Sequence, residues 1–355
     1  MRWDSQRVDR DGPAQLPGLE AEQGGPVRTF EAPEAMGMRF HEVRAKSALN
    51  RVPEGAYGFN WTVNPYRGCS HACVYCFARP THTYLGFNAG RDFDREIVVK
   101  VNVPEVLAVE LGRPSWKNEL VALGTNTDPY QWVESRYRLT RDILLALEQS
   151  RTPVSVLTKS PLVLSDLEIF KRMNEHTRVQ VNLSVPTVDE KAWRATEPHT
   201  PSPKARLEAV AELKRNGISS GILIAPIMPG INDEPRQIQP ILTAADEAGA
   251  DFVTPIALNL RRETRDVFFE WLESERPELV EKYLKLFPPG RGRMTKDDQD
   301  ELLKPARKGR PVTTRGRFSP EDIMAPVSRK GNRKGSTRAV AFQAKKEHPD
   351  QSSLF

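Results

Sequence analysis

The chain of 355 residues holds only three cysteines and no apolar run of membrane-spanning length. Three thiols cannot build a disulfide framework. The most apolar run, Gly221 to Met228, is strand-sized and ends at Pro229, whereas a membrane helix needs roughly 20 apolar residues. No membrane partner is expected. The opening stretch MRWDSQRVDRDGPAQ mixes charges of both signs and has no apolar centre, which is unlike a secretory signal and predicts a cytoplasmic protein. A phosphate-binding P-loop and a G-x-G-x-x-G motif are both missing, and the six histidines lack metalloprotease spacing. With 38% apolar residues and a mean hydropathy of −0.54, the chain is thin for a wholly compact globule, so part of it is expected to be polar tail.

Charge locates that tail. Arg291 to Phe355 carries 16 Lys and Arg against 8 Asp and Glu, a net charge of +8, which leaves −3 for the remainder. Leu302 to Lys346 has 13 basic and 2 acidic residues spaced by Gly, Pro, Ser and Thr, a composition that cannot bury a core and predicts disorder. Such an arm suits a polyanion, nucleic acid first, although a solubilising tail has the same composition. Residues 1–40 are rich in Gly and Pro and read as a flexible leader. The expected division is a leader over 1–40, a core domain over 41–290 and a basic tail over 291–355.

Between about Tyr57 and Phe287, short β-branched runs alternate with helical patterns, the mark of a parallel sheet with helical crossovers. The strand candidates are Phe59 to Val63, Leu120 to Thr125, Pro153 to Thr158, Val179 to Val185, Gly221 to Met228 and Phe252 to Leu258. Helix boundaries are signalled by Ser165 with Glu168 as a capping box, by Ser202 before Pro203, and by Asn216-Gly217 and Gly249 as stops. Six β/α units fit, with REIVVKVN and a helix from Pro104 to about Gly112 read as an insertion. Such an α/β array is either an open doubly wound sheet or a partial barrel, and in both the ligand lies at the carboxyl ends of the strands. Polar clusters follow the strands there: NPYRGCSHAC, GTNTDPYQ, TKS and Ser184.

All three cysteines lie in the first of those clusters, spaced C-x3-C-x2-C as Cys69, Cys73 and Cys76. Three thiolates can hold three irons of a 4Fe-4S cluster, leaving the fourth iron open because no further cysteine exists. A zinc site completed by His71 or His82, in a non-catalytic nucleic-acid-binding module, is the competing reading.

A C-x3-C-x-aromatic-C loop after the first strand of a six-unit β/α array resembles the radical S-adenosylmethionine (SAM) superfamily. NPYRGCSHACVYCFARPTH, ALGTNTDPYQ and VLTKS further resemble its spore photoproduct lyase-like branch, often labelled DNA repair photolyases, over roughly residues 56–258. The resemblance implies a partial (β/α)6 barrel in which Cys69, Cys73 and Cys76 bind the 4Fe-4S cluster and SAM chelates the open iron. It further implies that Tyr75 presents its backbone to adenine and that Asn126, Thr127 and Asp128 meet the methionine amino group. Lys159 would meet the carboxylate, Ser184 the ribose, and Ile224 to Pro226 would flank adenine. An electron donor such as flavodoxin or ferredoxin would reduce the cluster, and a 5′-deoxyadenosyl radical would abstract hydrogen from the substrate. That substrate is expected to be nucleic acid, in repair or modification, with a protein or small molecule as the alternative.

Two departures separate the chain from the lyase itself. The lyase's additional cysteine near the end of its second strand has no counterpart in Gly124-Thr125-Asn126, and the tyrosine after its last cluster cysteine is Phe77 here. Thymine-dimer reversal by the same route is therefore not expected. Tyr75, Tyr84 and Tyr130 are radical-relay candidates on their chemistry alone. Gln351-Ser-Ser-Leu354-Phe355 resembles the peptide with which bacterial repair proteins dock on the DNA polymerase sliding clamp, with Ser352 where leucine is usual.

Overall fold

The computed structural model describes residues 26–32, 37–53 and 58–307. Eleven strands follow one another along them: β1 (Pro26–Ala32), β2 (Met38–Val43), β3 (Asn50–Arg51), β4 (Trp61–Val63), β5 (Tyr66–Arg67) and β6 (Glu96–Lys100). These are followed by β7 (Val121–Leu123), β8 (Val154–Thr158), β9 (Val179–Ser184), β10 (Ile222–Ile227) and β11 (Val253–Ala257). The larger sheet has the order β11-β10-β9-β8-β7-β4-β3, parallel from β4 to β11, with β3 antiparallel at the edge. Its six parallel strands stand in chain order with no reversal. A doubly wound sheet reverses at a switch point, so the barrel-type alternative is the one adopted, and the strand ends open on one mouth.

Buried Val121, Leu123, Val154, Val156, Val181, Leu183, Ile222 and Ile224 form one apolar core with the crossover helices. The six predicted strands are all present, slightly shorter than the sequence suggested. Ser202 caps the helix Pro203–Arg215 by accepting from Ala205 N at 3.2 Å, and Gly217 and Gly249 take the left-handed conformation that ends helices. The cap predicted at Ser165 is displaced. Ser165 lies inside the 3-10 turn Pro161–Asp166, and the capping hydroxyl is Ser160, which accepts from Leu162 N.

A second, four-stranded sheet has the order β1-β2-β6-β5. Two corrections follow from it. Part of the expected leader is strand, since β1 and β2 pair antiparallel; backbone pairing needs no apolar run, which is why composition missed it. The helix expected in an insertion, Val103–Leu111, is instead the crossover between parallel β4 and β7, and its Val103, Leu107 and Leu111 pack into the barrel core. Only the strand before it belongs to the added sheet.

At the other end the folded part passes residue 290. The helix Lys296–Arg307 buries Leu303 and Ala306 in the barrel core. Two apolar side chains one turn apart suffice to dock a helix that is otherwise charged. The rest of the basic tail, with Gln351, Leu354 and Phe355, lies outside the described residues. None of the described helices is long and apolar enough to cross a membrane.

Candidate active site

The loop after β4 is shaped by a glycine. Gly68 has φ +81°, and a Cβ there would meet Phe93 O at 2.8 Å and His82 Cε1 at 2.9 Å. The backbone therefore turns tightly into Cys69, whose N–H donates to Phe93 O at 3.0 Å. Gly68 O accepts from Thr127 Oγ1 at 2.7 Å and from Gln131 Nε2 at 3.1 Å, and Ser70 N donates to Gln131 Oε1 at 2.8 Å. Gln131 has no exposure. It clamps the entry of the loop.

Arg79 clamps the remainder. This buried guanidinium donates to Cys73 O from Nε at 3.1 Å and from Nη2 at 3.0 Å, and to Ala72 O at 3.2 Å. Its other edge donates to Ala89 O at 2.9 Å and Gly90 O at 2.8 Å, while Asp94 pairs with it at 3.0 Å. Burial still pushes Asp94 up to about 6. All three cysteines are free thiols, and burial raises each of them, Cys73 to about 12. Thiols in such a place ionise only beside a strong positive charge, which iron supplies. A loop with two buried cysteines, a third half-buried at Cys76, and its carbonyls tied back fits a three-thiolate cluster with one side open to a ligand.

The zinc alternative finds less. His82 Nε2 donates to Glu96 O at 2.8 Å, and burial lowers its imidazole to about 4. His71 Nδ1 lies 3.3 Å from Asp128 Oδ2. Among the described residues, no three His, Cys, Asp or Glu side chains gather around a single ion position.

After β7, Gly124 has φ +87°, and a Cβ would stand 1.9 Å from Leu157 O. Its absence lets the next residues cross close to β8. Asn126 is exposed there, while its N–H and the Thr125 hydroxyl both donate to Asn64 Oδ1. Thr127 is spent on Gly68 O. Asp128 accepts from Thr158 Oγ1 at 2.6 Å, from Lys159 N at 2.7 Å and from Tyr130 N at 2.9 Å. Burial alone would raise its carboxyl, but His71, Thr158 and Lys159 N outweigh it and bring it to about 2.

Lys159 joins this group to a second one. Its Nζ donates to Ser184 Oγ at 2.9 Å, lies 3.6 Å from Glu197 and stands 5.7 Å from the centre of the Tyr75 ring. The Ser184 hydroxyl donates to Ala225 O at 3.1 Å, between Ile224 and Pro226. Tyr75 hydrogen-bonds Glu197 through its hydroxyl. Burial disfavours the Lys159 ammonium, yet Glu197 and Cys73 raise it above an ordinary lysine. Glu197 is held low because Arg206 and Lys159 overcome its burial. Ile224 itself packs into the apolar core.

The structure therefore brings Tyr75, Lys159, Ser184 and the Ile224–Pro226 segment together, and Lys159 links them to Asp128. Tyr130 is packed, with its hydroxyl on Asp166 at 3.0 Å, and Tyr84 is 64% exposed. Glu197, Arg206, Gln131, Arg79 and Asn64 were given no role by the sequence reading. Asn64, Gln131 and Arg79 do stand inside the motifs NPYRGCSHACVYCFARPTH and GTNTDPYQ, which was the signal available for them.

Comparison with known proteins bears on the family and the fold. The model of the radical SAM superfamily matches residues 63–238. An uncharacterized protein of Mycobacterium tuberculosis (strain H37Rv) is 46% identical over 295 residues, covering 82% of this chain and 86% of that one. A radical SAM Nα-GlyT isomerase of Pseudomonas phage M6 is 27% identical, covering 47% of this chain and 33% of the isomerase. Among solved structures, a spore photoproduct lyase mutant with bound SAM and dinucleoside spore photoproduct aligns with a TM-score of 0.55 at 19% identity, covering 75% of this chain and 76% of that one.

Proposed function

Because the chain belongs to the radical SAM superfamily, we infer that Cys69, Cys73 and Cys76 hold its 4Fe-4S cluster and that the mouth around Lys159 holds SAM. Enzymes of this superfamily use both cofactors and need a reductant. When bound, the pair supplies one-electron reductive cleavage of the S–C5′ bond of SAM. The protein's own contribution is placement. Lys159 offers an ammonium to a carboxylate, and exposed Asn126 offers an amide to the methionine amino group. Thr127 and Asp128 act behind Asn126 by fixing its loop to Gly68 and to β8. Ser184 stands ready for the ribose, and Tyr75 with Pro226 borders the adenine side. Burial of the thiols keeps water and competing hydrogen donors away from the reacting centre. The observation that carries this reading is Lys159 on Ser184 Oγ beside the loop of three free thiols, two of them buried.

The substrate reading is nucleic acid, in repair or modification. Its support is the +8 tail together with the dinucleoside named for the spore photoproduct lyase structure above. Docking on a sliding clamp through Gln351, Leu354 and Phe355 belongs to the same reading, and deletion of the last five residues without loss of clamp binding removes it.

The deciding experiment is anaerobic reconstitution with iron and sulfide, reduction by dithionite with SAM, and an assay for 5′-deoxyadenosine. Formation by the intact protein and not by Cys73→Ala supports the cluster assignment. Zinc content without cleavage refutes it. Retention of DNA or RNA that fades with salt supports the nucleic-acid reading, and activity on a peptide or small molecule without such retention replaces it.

A further inference from the structure

Outside the SAM mouth, the smaller sheet carries two cations, Arg67 and Lys100, that no carboxylate neutralises among the described residues. Arg67 on β5 stands opposite Val98 of β6, and Lys100 lies two residues further along β6. Side chains two apart on a strand share a face, so Arg67 and Lys100, both half-buried, form a diagonal pair about 7–8 Å apart at the backbone. Lys100 Nζ donates to Asn64 O at 2.8 Å; with three donors on an ammonium, two are left without a partner among the described residues. The Arg67 guanidinium has neither a hydrogen bond nor an ion pair among them. Elsewhere the protein neutralises such groups, as Asp94 does for Arg79 and Glu197 does for Arg206.

The pair also stands where a substrate would pass. Asn64, which holds Lys100, also receives Asn126 N at the mouth. Arg67 directly precedes the Gly68–Cys69 turn. Tyr84, an electrostatic neighbour of Arg67, is 64% exposed. An open aromatic face beside paired cations suits a chain of stacked bases joined by phosphates.

We propose that Arg67 and Lys100 form a phosphate-binding subsite that seats a backbone phosphodiester of the nucleic-acid substrate beside the mouth. The subsite rests on the nucleic-acid reading for its natural ligand. Burial first, and the neighbouring Arg67 charge second, lower the Lys100 ammonium to about 8; an anion between the two cations would offset both and so stabilise the fold.

The test uses the full chain, with Arg67→Gln, Lys100→Gln and the charge-retaining Arg67→Lys. Two quantities are read: the rise in Tm with inorganic phosphate, and the salt dependence of binding to a single-stranded oligonucleotide. Phosphate should raise the Tm of the wild type and of Arg67→Lys and leave both Gln variants unmoved. Each Gln variant should bind the oligonucleotide about tenfold more weakly, with a log–log salt slope smaller by about 0.7. Gln variants that keep the wild-type phosphate response and salt slope overturn the subsite, while oligonucleotide binding by the wild type leaves the nucleic-acid reading standing. An Arg67-dependent phosphate response without oligonucleotide binding keeps the subsite and removes the nucleic-acid reading. A wild type that answers neither probe overturns both.

Discussion

Arg206 faces Glu197 at 2.7 Å with neither side chain exposed to solvent. The pair lies behind Lys159 and Tyr75, so its charge balance sets the environment of both. Removing one member leaves a buried charge without a partner. Glu197→Ala is expected to destabilise the fold by about 3–5 kcal/mol. The Arg206→Met, Glu197→Leu double variant should be closer to wild type than Glu197→Ala, as urea denaturation would show in a double-mutant cycle.

Lys159 is expected to act on SAM affinity rather than on the fold. Lys159→Met should weaken SAM binding about 10- to 100-fold, the range for a hydrogen bond to a charged group, and Ser184→Ala about three- to tenfold. Equilibrium dialysis of the reconstituted protein under anaerobic conditions measures both. Equal affinities in the variants and the wild type would take Lys159 out of the site.

Arg79 reaches the cluster loop only through backbone carbonyls. Arg79→Gln frees Cys73 O and Ala72 O, and its reconstituted cluster should be lost to a chelator several times faster than that of the wild type. Arg79→Lys should fall between them. Absorbance of the brown cluster against time is the readout, with iron content as the check.

The stability of the fold should fall between about pH 4 and 7 through Glu134. Burial lifts this carboxyl to about 7 against hydrogen bonds from Tyr66 and Thr140. A carboxyl raised in the folded state contributes stability that is complete below its unfolded value of about 4.3 and is lost as pH rises through its folded value. The loss between pH 4 and 8 should be on the order of 3 kcal/mol for this group, and it should be missing from Glu134→Gln in urea titrations at the two ends of that range.

What the sequence made legible was whatever is decided locally. The six core strands, the Ser202 cap and the stops at Gly217 and Gly249 each depend on a few neighbouring residues. The three cysteines announced themselves by spacing. Glu197 did not, because a carboxylate in TEPHTP looks like any loop residue until the helix Pro203–Arg215 brings Arg206 against it. Gln131 was hidden in the same way, 63 residues from the Gly68 carbonyl that it holds. The helix Val103–Leu111 was misplaced because the smaller sheet interrupts the chain between β4 and the crossover that belongs to it. For Thr127 and Asp128, expected as ligand contacts, the structure shows hydrogen bonds to Gly68 O and to Thr158 and Lys159 N.

Arg79 ties the loop at Ala72 and Cys73 to the turn at Ala89 and Gly90 and to Asp94. A secreted protein would hold such a turn with a crosslink between sulfurs. Here a guanidinium serves as the staple, and it has no oxidised or reduced form. The loop can stay shut through changes of redox state without spending any of the three thiols on a crosslink.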